Sequence, residues 1–135
     1  MATLDAVPDP NGVTLKCGAE AGSNIAPPVV KQFVPTNPDG TVYDCTALTA
    51  VPNCYIAFPG FDLNKNDNTH ILTVALTNTA HDATGFTVTF SEANIQAIQT
   101  FMAGQSTCNM SIIAAEAGGD QAMVAQGTLA IDLVP

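Results

Sequence analysis

The chain has 135 residues and 13.9 kDa, enough for one domain that buries roughly 65–70% of its extended surface and closes a core without metal or cofactor. Hydrophobic residues make up 47% and charged residues only 11%, against about 25% charged in a typical domain, which excludes a disordered polyampholyte, a coiled coil and a solvated helix bundle. Twelve acidic residues stand against three lysines and no arginine, for a net charge of −9, so a nucleic-acid partner is excluded and an anionic membrane surface disfavoured.

Residues 1–12 carry Pro8, Pro10 and Gly12, which block regular structure. They read as a flexible N-terminal arm, removable with little change in melting temperature, ahead of a single domain over 13–135. The opening lacks a basic flank and an apolar stretch, so no secretory leader is expected and synthesis in a cytoplasm is.

Val13–Cys17 alternates as a half-buried strand, and 18–28 reads as loop. Val29–Val34 is a second strand, ended by Pro35. Thr36-Asn37-Pro38-Asp39-Gly40 is a strong turn leading into Thr41-Val42-Tyr43. Cys54–Phe58 follows, stopped by Pro59-Gly60, and 61–68 is polar and turn-rich. Ile71–Thr77 alternates again, and 78–85 reads as a connection. Phe86, Val88 and Phe90 then share one face of a strand, with Thr87 and Thr89 on the other. Ser91 as N-cap, Glu92 in the first turn and an Ile95, Ile98, Met102 stripe predict one short helix near 91–103, stopped by Gly104. Met110–Ala114 and Met123–Leu133 close the chain around the Gly118-Gly119-Asp120 turn, and Gly127 marks an expected bulge or bend.

Seven to eight short strands separated by turns, with one helix, predict an all-β antiparallel sandwich with hairpin and Greek-key connections. A parallel α/β sheet needs a crossover helix between most strands.

The patterns that carry chemistry are thin. His70 and His81 lie beside strand ends, and neither Ser91 nor Ser111 sits in a nucleophile elbow. Asp39, Asp62, Asp67, Asp82 and Asp120 fall in turns, where Asp bonds nearby backbone. Sugar platforms have only Tyr43 and Tyr55 to draw on, with no Trp. Asp62-Leu63-Asn64-Lys65-Asn66-Asp67-Asn68 echoes a calcium loop, but Asp67 stands where Gly is required and Thr73 where Glu is. Asn109-Met110-Ser111 is formally a glycosylation sequon. Cys17, Cys45, Cys54 and Cys108 form no CxxC pair; they read as buried thiols, with a Cys45–Cys54 bridge open to an oxidising medium. No catalytic, cofactor-binding or metal-binding residue is assigned, no cofactor is expected, and nothing makes a positive case for an enzyme.

One layout is distinctive over about 70–135. Gly85-Phe86-Thr87-Val88-Thr89-Phe90 leads to the helix Ser91–Ile98, then Gly104, Met110-Ser111-Ile112-Ile113, and Gln126-Gly127-Thr128-Leu129-Ala130-Ile131. It resembles bacteriophage virion domains of the baseplate-upper-protein N-terminal type. The resemblance implies an Ig-like sandwich and a place in the phage particle. A stand-alone sandwich looks most like a capsid decoration (cement) protein stabilising the head lattice. The alternatives are a tail, baseplate or fibre adaptor, or a host-surface (carbohydrate) binding module. Expected partners are the major capsid protein or other virion proteins and further copies of the chain, as a trimer, with no nucleic acid and no membrane; the expected location is the virion.

Overall fold

Gly85–Phe90 shows how the molecule is built. Phe86, Val88 and Phe90 are fully buried while Thr87 and Thr89 are only partly so, the alternation of a strand with one face on the core. The computed structural model describes residues 6–18, 29–57, 71–102 and 107–134. Among them are eight strands and one helix: β1 (Val13–Gly18), β2 (Val29–Phe33), β3 (Asn53–Ala57), β4 (Ile71–Ala75), β5 (Thr77–Asp82), β6 (Gly85–Phe90), α1 (Glu92–Met102), β7 (Thr107–Ala115) and β8 (Gln121–Val134).

The strands form a five-stranded sheet, β1-β8-β7-β3-β4, and a three-stranded sheet, β2-β6-β5. One core joins them. Leu15, Ile56, Met110, Ile112 and Leu129 from the first sheet pack with Phe33, Phe86, Val88 and Phe90 from the second. The chain is thus the two-sheet β sandwich expected from its strand spacing, with one departure from a wholly antiparallel arrangement. β1 runs parallel to β8, Val13 opposite Leu129 and Gly18 opposite Val134. A parallel pair cannot be joined by a tight turn, and here nearly the whole chain is the connection.

Residues 78–85, expected as a connection, are mostly strand. β4 and β5 are one run that leaves the first sheet and enters the second at Leu76. The Leu76 side chain is buried, and its N–H donates to the Pro52 carbonyl at 2.9 Å. A strand that bends from one sheet into the other closes a sandwich corner. β5 lacks an apolar alternation because it is an edge strand with a register shift between Asn78 and Ala80. By contrast Thr41-Val42-Tyr43 contributes only a single bridge, Thr36 to Val42.

The helix forms where expected. Ser91 and Asn94 cap it reciprocally: Ser91 Oγ accepts from the Asn94 N–H at 3.2 Å, and Asn94 Oδ1 accepts from the Ser91 N–H at 3.0 Å. Ile95, Ile98, Gln99 and Met102 form its buried face. It touches β1, β4 and β6, so an element about 16 Å long reaches both edges of the five-stranded sheet. Gly104 lies outside the described residues.

The N-terminal segment is anchored from residue 6 to 12, against the expectation of a free arm. Val7 exchanges hydrogen bonds with Thr36 just beyond β2, at 2.7 and 2.9 Å. The Asp9 N–H donates to the Val124 carbonyl at 3.1 Å, and the Asp9 carbonyl accepts from the Gln126 N–H at 3.0 Å. Asp9 opposes Ala125 as Val13 opposes Leu129. Both intervals are four residues, so Asp9 and β1 hold one register on β8 across residues 10–12, where Pro10 has no N–H to give and the Asn11 N–H turns to Asp9 Oδ1.

Gly127 is not the bulge. Ile112 opposes Ala125 and Ile113 opposes Met123, which leaves Val124 as the extra residue. Gly127 instead permits a close backbone approach: a Cβ there would lie 2.8 Å from the Pro10 carbonyl oxygen. Gly12 is tighter still, its missing Cβ falling 1.9 Å from the Thr128 oxygen.

Candidate docking surface

Strand register defines what the outer face of the five-stranded sheet presents. One row across it is Gln126, Ser111, Tyr55, Thr73; beside it run Thr128, Asn109, Ala57 and Thr14, Ala130, Thr107. A fourth row is Met123, Ile113, Asn53, Ala75. None of these is charged; the charged positions in the same register are Lys16 and Asp132, opposite each other towards the ends of β1 and β8. Thr14, Thr73, Thr107, Asn109, Gln126 and Thr128 are exposed, while Ser111 and Ala57 are buried within the face. Threonine suits such a surface because it is β-branched yet hydrogen-bonds to water or a partner.

The second sheet repeats the theme. Val30, Gln32, Thr77, Thr87, Thr89 and Ala80 occupy its outer register positions. The edge strand β2 turns Lys31 to the same side as Val29 and Phe33, and an inward-pointing lysine discourages strand addition at that edge.

Negative charge gathers at turns instead. Asp39, Asp44 and Asp82 each precede a threonine by two residues and form the same local motif. Each Oδ1 accepts from the backbone N–H and the hydroxyl of Thr41, Thr46 or Thr84, at 3.0 and 2.6 Å, 3.0 and 2.5 Å, and 2.8 and 2.5 Å respectively. In each case the threonine hydroxyl is the main reason that the carboxyl is held below its ordinary value, with the threonine N–H second.

Tertiary bonds then bring two of these turns together. The Cys45 N–H donates to the Asp82 carbonyl at 3.0 Å, and the Ala50 N–H to the Ala115 carbonyl at 3.1 Å. His81 Nδ1 lies 2.9 Å from the Thr46 carbonyl, which fixes that nitrogen as the donor. Tyr43 is raised by burial first and by Glu116 second. Asp44, Asp82 and Glu116 therefore share one end of the sandwich around Tyr43 and Cys45.

The residues singled out in the sequence are scattered. His81 belongs to β5 and secures a loop; His70 and Asp62–Asn68 lie outside the described residues. Asn109 is exposed in mid-strand on β7. Cys45, Cys54 and Cys108 are buried free thiols, and burial pushes Cys45 up to about 11 and Cys54 up to about 12. Among the described residues no three His, Cys, Asp or Glu converge to hold a metal ion, and no helix is long and apolar enough to cross a membrane. Sequence reasoning missed the shared role of the acidic turns, although the Asp-x-Thr spacing at Asp39, Asp44 and Asp82 was a readable signal. It also missed buried Asp9, for which no local signal exists.

The chain matches no protein-family model, no curated protein and no solved structure.

Proposed function

We propose that this protein is a structural component of a bacteriophage particle, a capsid decoration (cement) protein that lies on the head lattice and stabilises it by docking. The observation that carries this reading is the segregation of charge: sheet faces whose central rows are uncharged and hydrogen-bonding, on a chain of net charge −9, with acids at the Asp39, Asp44 and Asp82 turns and gathered at one end. A face without ions loses no ionic hydration when it is covered. The acidic end stays in water and keeps free copies apart before assembly. Nothing in this division of labour calls for a reaction centre, and the strand-helix-hairpin layout over 70–135 points to the same particle.

The proposed partner is the major capsid protein, with copies of the chain clustered as a trimer about a lattice axis. The test is co-sedimentation of the purified protein with empty heads and, separately, with tails of the same phage. Sedimentation with heads is expected, and Thr128→Lys combined with Asn109→Lys should reduce it at least tenfold without moving the melting temperature. Asp44→Asn with Asp82→Asn should leave it intact. Sedimentation with tails alone overturns the head assignment in favour of an adaptor. Binding to neither particle, with binding to host cells or glycans, overturns the structural role.

A further inference from the structure

The chain contains a single Asn-Gly pair, Asn11-Gly12, and it lies inside the anchored N-terminal segment. We propose that Asn11 is a deamidation site gated by Asp9: closed while residues 9–12 lie on β8, reactive when they lift, and unable to close again once it has reacted.

The chemistry needs only water. The Gly12 backbone nitrogen attacks the Asn11 side-chain carbonyl carbon and forms a new C–N bond. The bond from that carbon to the side-chain nitrogen breaks, and ammonia leaves carrying the proton that the Gly12 N–H gives up. Water then opens the cyclic imide at either carbonyl, leaving aspartate or isoaspartate at position 11. Glycine in the following position favours the step because no side chain obstructs the approach.

The docked segment opposes each part of this. Asp9 Oδ1 accepts from the Asn11 side-chain nitrogen at 2.8 Å and from the Asn11 N–H at 2.9 Å. The departing nitrogen must gain a proton, yet here it is donating one to an anion. Asp9 is itself fixed, 5% exposed, with Oδ2 accepting from the Val34 N–H at 2.8 Å. The attacking residue is also held: Gly12 is pressed so closely on Thr128 that not even a methyl group fits between. Bringing the Gly12 nitrogen onto the Asn11 side chain therefore requires 10–12 to leave β8. Asn11 is exposed, so water meets the imide as soon as it forms.

Closure afterwards is blocked for two reasons. A carboxylate at position 11 confronts the Asp9 carboxylate where an amide donor stood. Isoaspartate, in addition, inserts a backbone carbon between Asp9 and Val13 and breaks their common register with Ala125 and Leu129. The modified chain keeps its sandwich and loses its N-terminal strap.

The experiment follows the peptide containing Asn11 by mass spectrometry, with chromatographic separation of aspartyl and isoaspartyl forms. The full chain, Asp9→Ala and a core variant outside the strap, Val88→Ala, are incubated side by side in mildly alkaline buffer. Asp9→Ala should react about tenfold faster or more, the factor set by one charged hydrogen bond removed from the closed state. Val88→Ala should match the unmodified sequence, because the gate opens locally and not by global unfolding. Asp9→Asn, of equal volume, replaces the alanine variant if that one does not fold. Equal rates in the native chain and the Asp9 variant overturn the gate, and so does a Val88→Ala chain that reacts as fast as the Asp9 variant.

Discussion

Asp9 and Val34 are joined across the sandwich. The Asp9 carboxylate, anchored by its backbone to β8 of the first sheet, accepts from the Val34 N–H at 2.8 Å, one residue beyond β2 of the second. Beside it Val7 and Thr36 exchange backbone hydrogen bonds, so the segment pinned to β8 reaches the end of β2 through both backbone and side chain, while β4 and β5 bridge the sheets covalently at Leu76.

Removing that bridge should be felt globally. Asp9→Ala leaves the part-buried Val34 N–H without its acceptor and frees Asn11 at the same time. An orphaned donor of this kind costs about 1–3 kcal/mol, more where the lost partner is charged. A loss of about 2–4 kcal/mol is expected in urea or thermal unfolding, and deletion of 1–12 should lower the melting temperature at least as far. A melting temperature unchanged by the deletion would return the segment to the status of a free arm.

Gly12 and Gly127 make the same point through space. Alanine at either position places a carbon against rigid backbone, the Thr128 oxygen or the Pro10 oxygen. Each substitution should destabilise by about 1–3 kcal/mol or more, Gly12→Ala the more severely. Gly118 is the control, since a Cβ there meets nothing within 4 Å. Gly118→Ala should stay within about 0.5 kcal/mol of the original, tilted towards stabilisation by the stiffer unfolded chain.

The buried thiols set an alkaline limit. Cys45 is pushed up to about 11 and Cys54 up to about 12, from 9.0, chiefly by burial. Below pH 9 both folded and unfolded chains keep these protons, and stability does not depend on them. Above it the unfolded chain releases protons that the folded chain retains, so stability falls as pH rises towards 11 and 12. The limiting slope is about 1.4 kcal/mol per pH unit for each thiol. Urea midpoints measured across that window should fall with pH, and Cys54→Ala should flatten the curve.

On the acid side the exposed turns contribute. Asp39, Asp44 and Asp82 are lowered from 3.8, first by their threonine hydroxyls. A depressed carboxyl contributes stability above its unfolded value, and that contribution disappears as pH falls through the folded value. Thr46→Val and Thr84→Val keep the shape and remove the hydroxyl donor. In a carboxyl-resolved NMR titration, Asp44 and Asp82 should then titrate at higher pH than in the original chain. Midpoints that stay put would assign the effect to the backbone N–H alone.

What the sequence made legible follows a physical line. Phe86, Val88 and Phe90 declare a strand, and Ile95, Ile98 and Met102 a helix, because large apolar side chains at period 2 or 3.6 have one way to be buried together. β5 does not declare itself. Thr77–Asp82 is an edge strand whose periodicity is interrupted by its own bulge. The β1–β8 parallel pair and the Asp9–Val34 bond join residues far apart in sequence, which no local window contains. Uncharged faces could be anticipated from abundant Thr, Asn and Gln. Their separation from an acidic end emerges only once the turns at Asp44 and Asp82 are brought side by side.

The junction between strand and helix gives a final test, because one residue serves two purposes there. Asn94 caps the helix with its Oδ1 on the Ser91 N–H, while its Nδ2 donates to the Ala75 carbonyl at 3.1 Å. Ala75 ends β4 beside Leu76, where the chain changes sheets. Ser91→Ala removes only the cap acceptor and should cost about 1 kcal/mol. Asn94→Ala removes the return half of the cap and the tether together, so it should cost more than Ser91→Ala. Asn94→Asp separates the two, because a carboxylate still accepts from Ser91 and sits well in a first helical turn, yet has no proton for Ala75. If the tether holds the sheet switch in place, Asn94→Asp should keep the helix and speed amide exchange at Leu76, whose N–H bonds to Pro52. Unchanged exchange at Leu76 in that variant would confine Asn94 to capping.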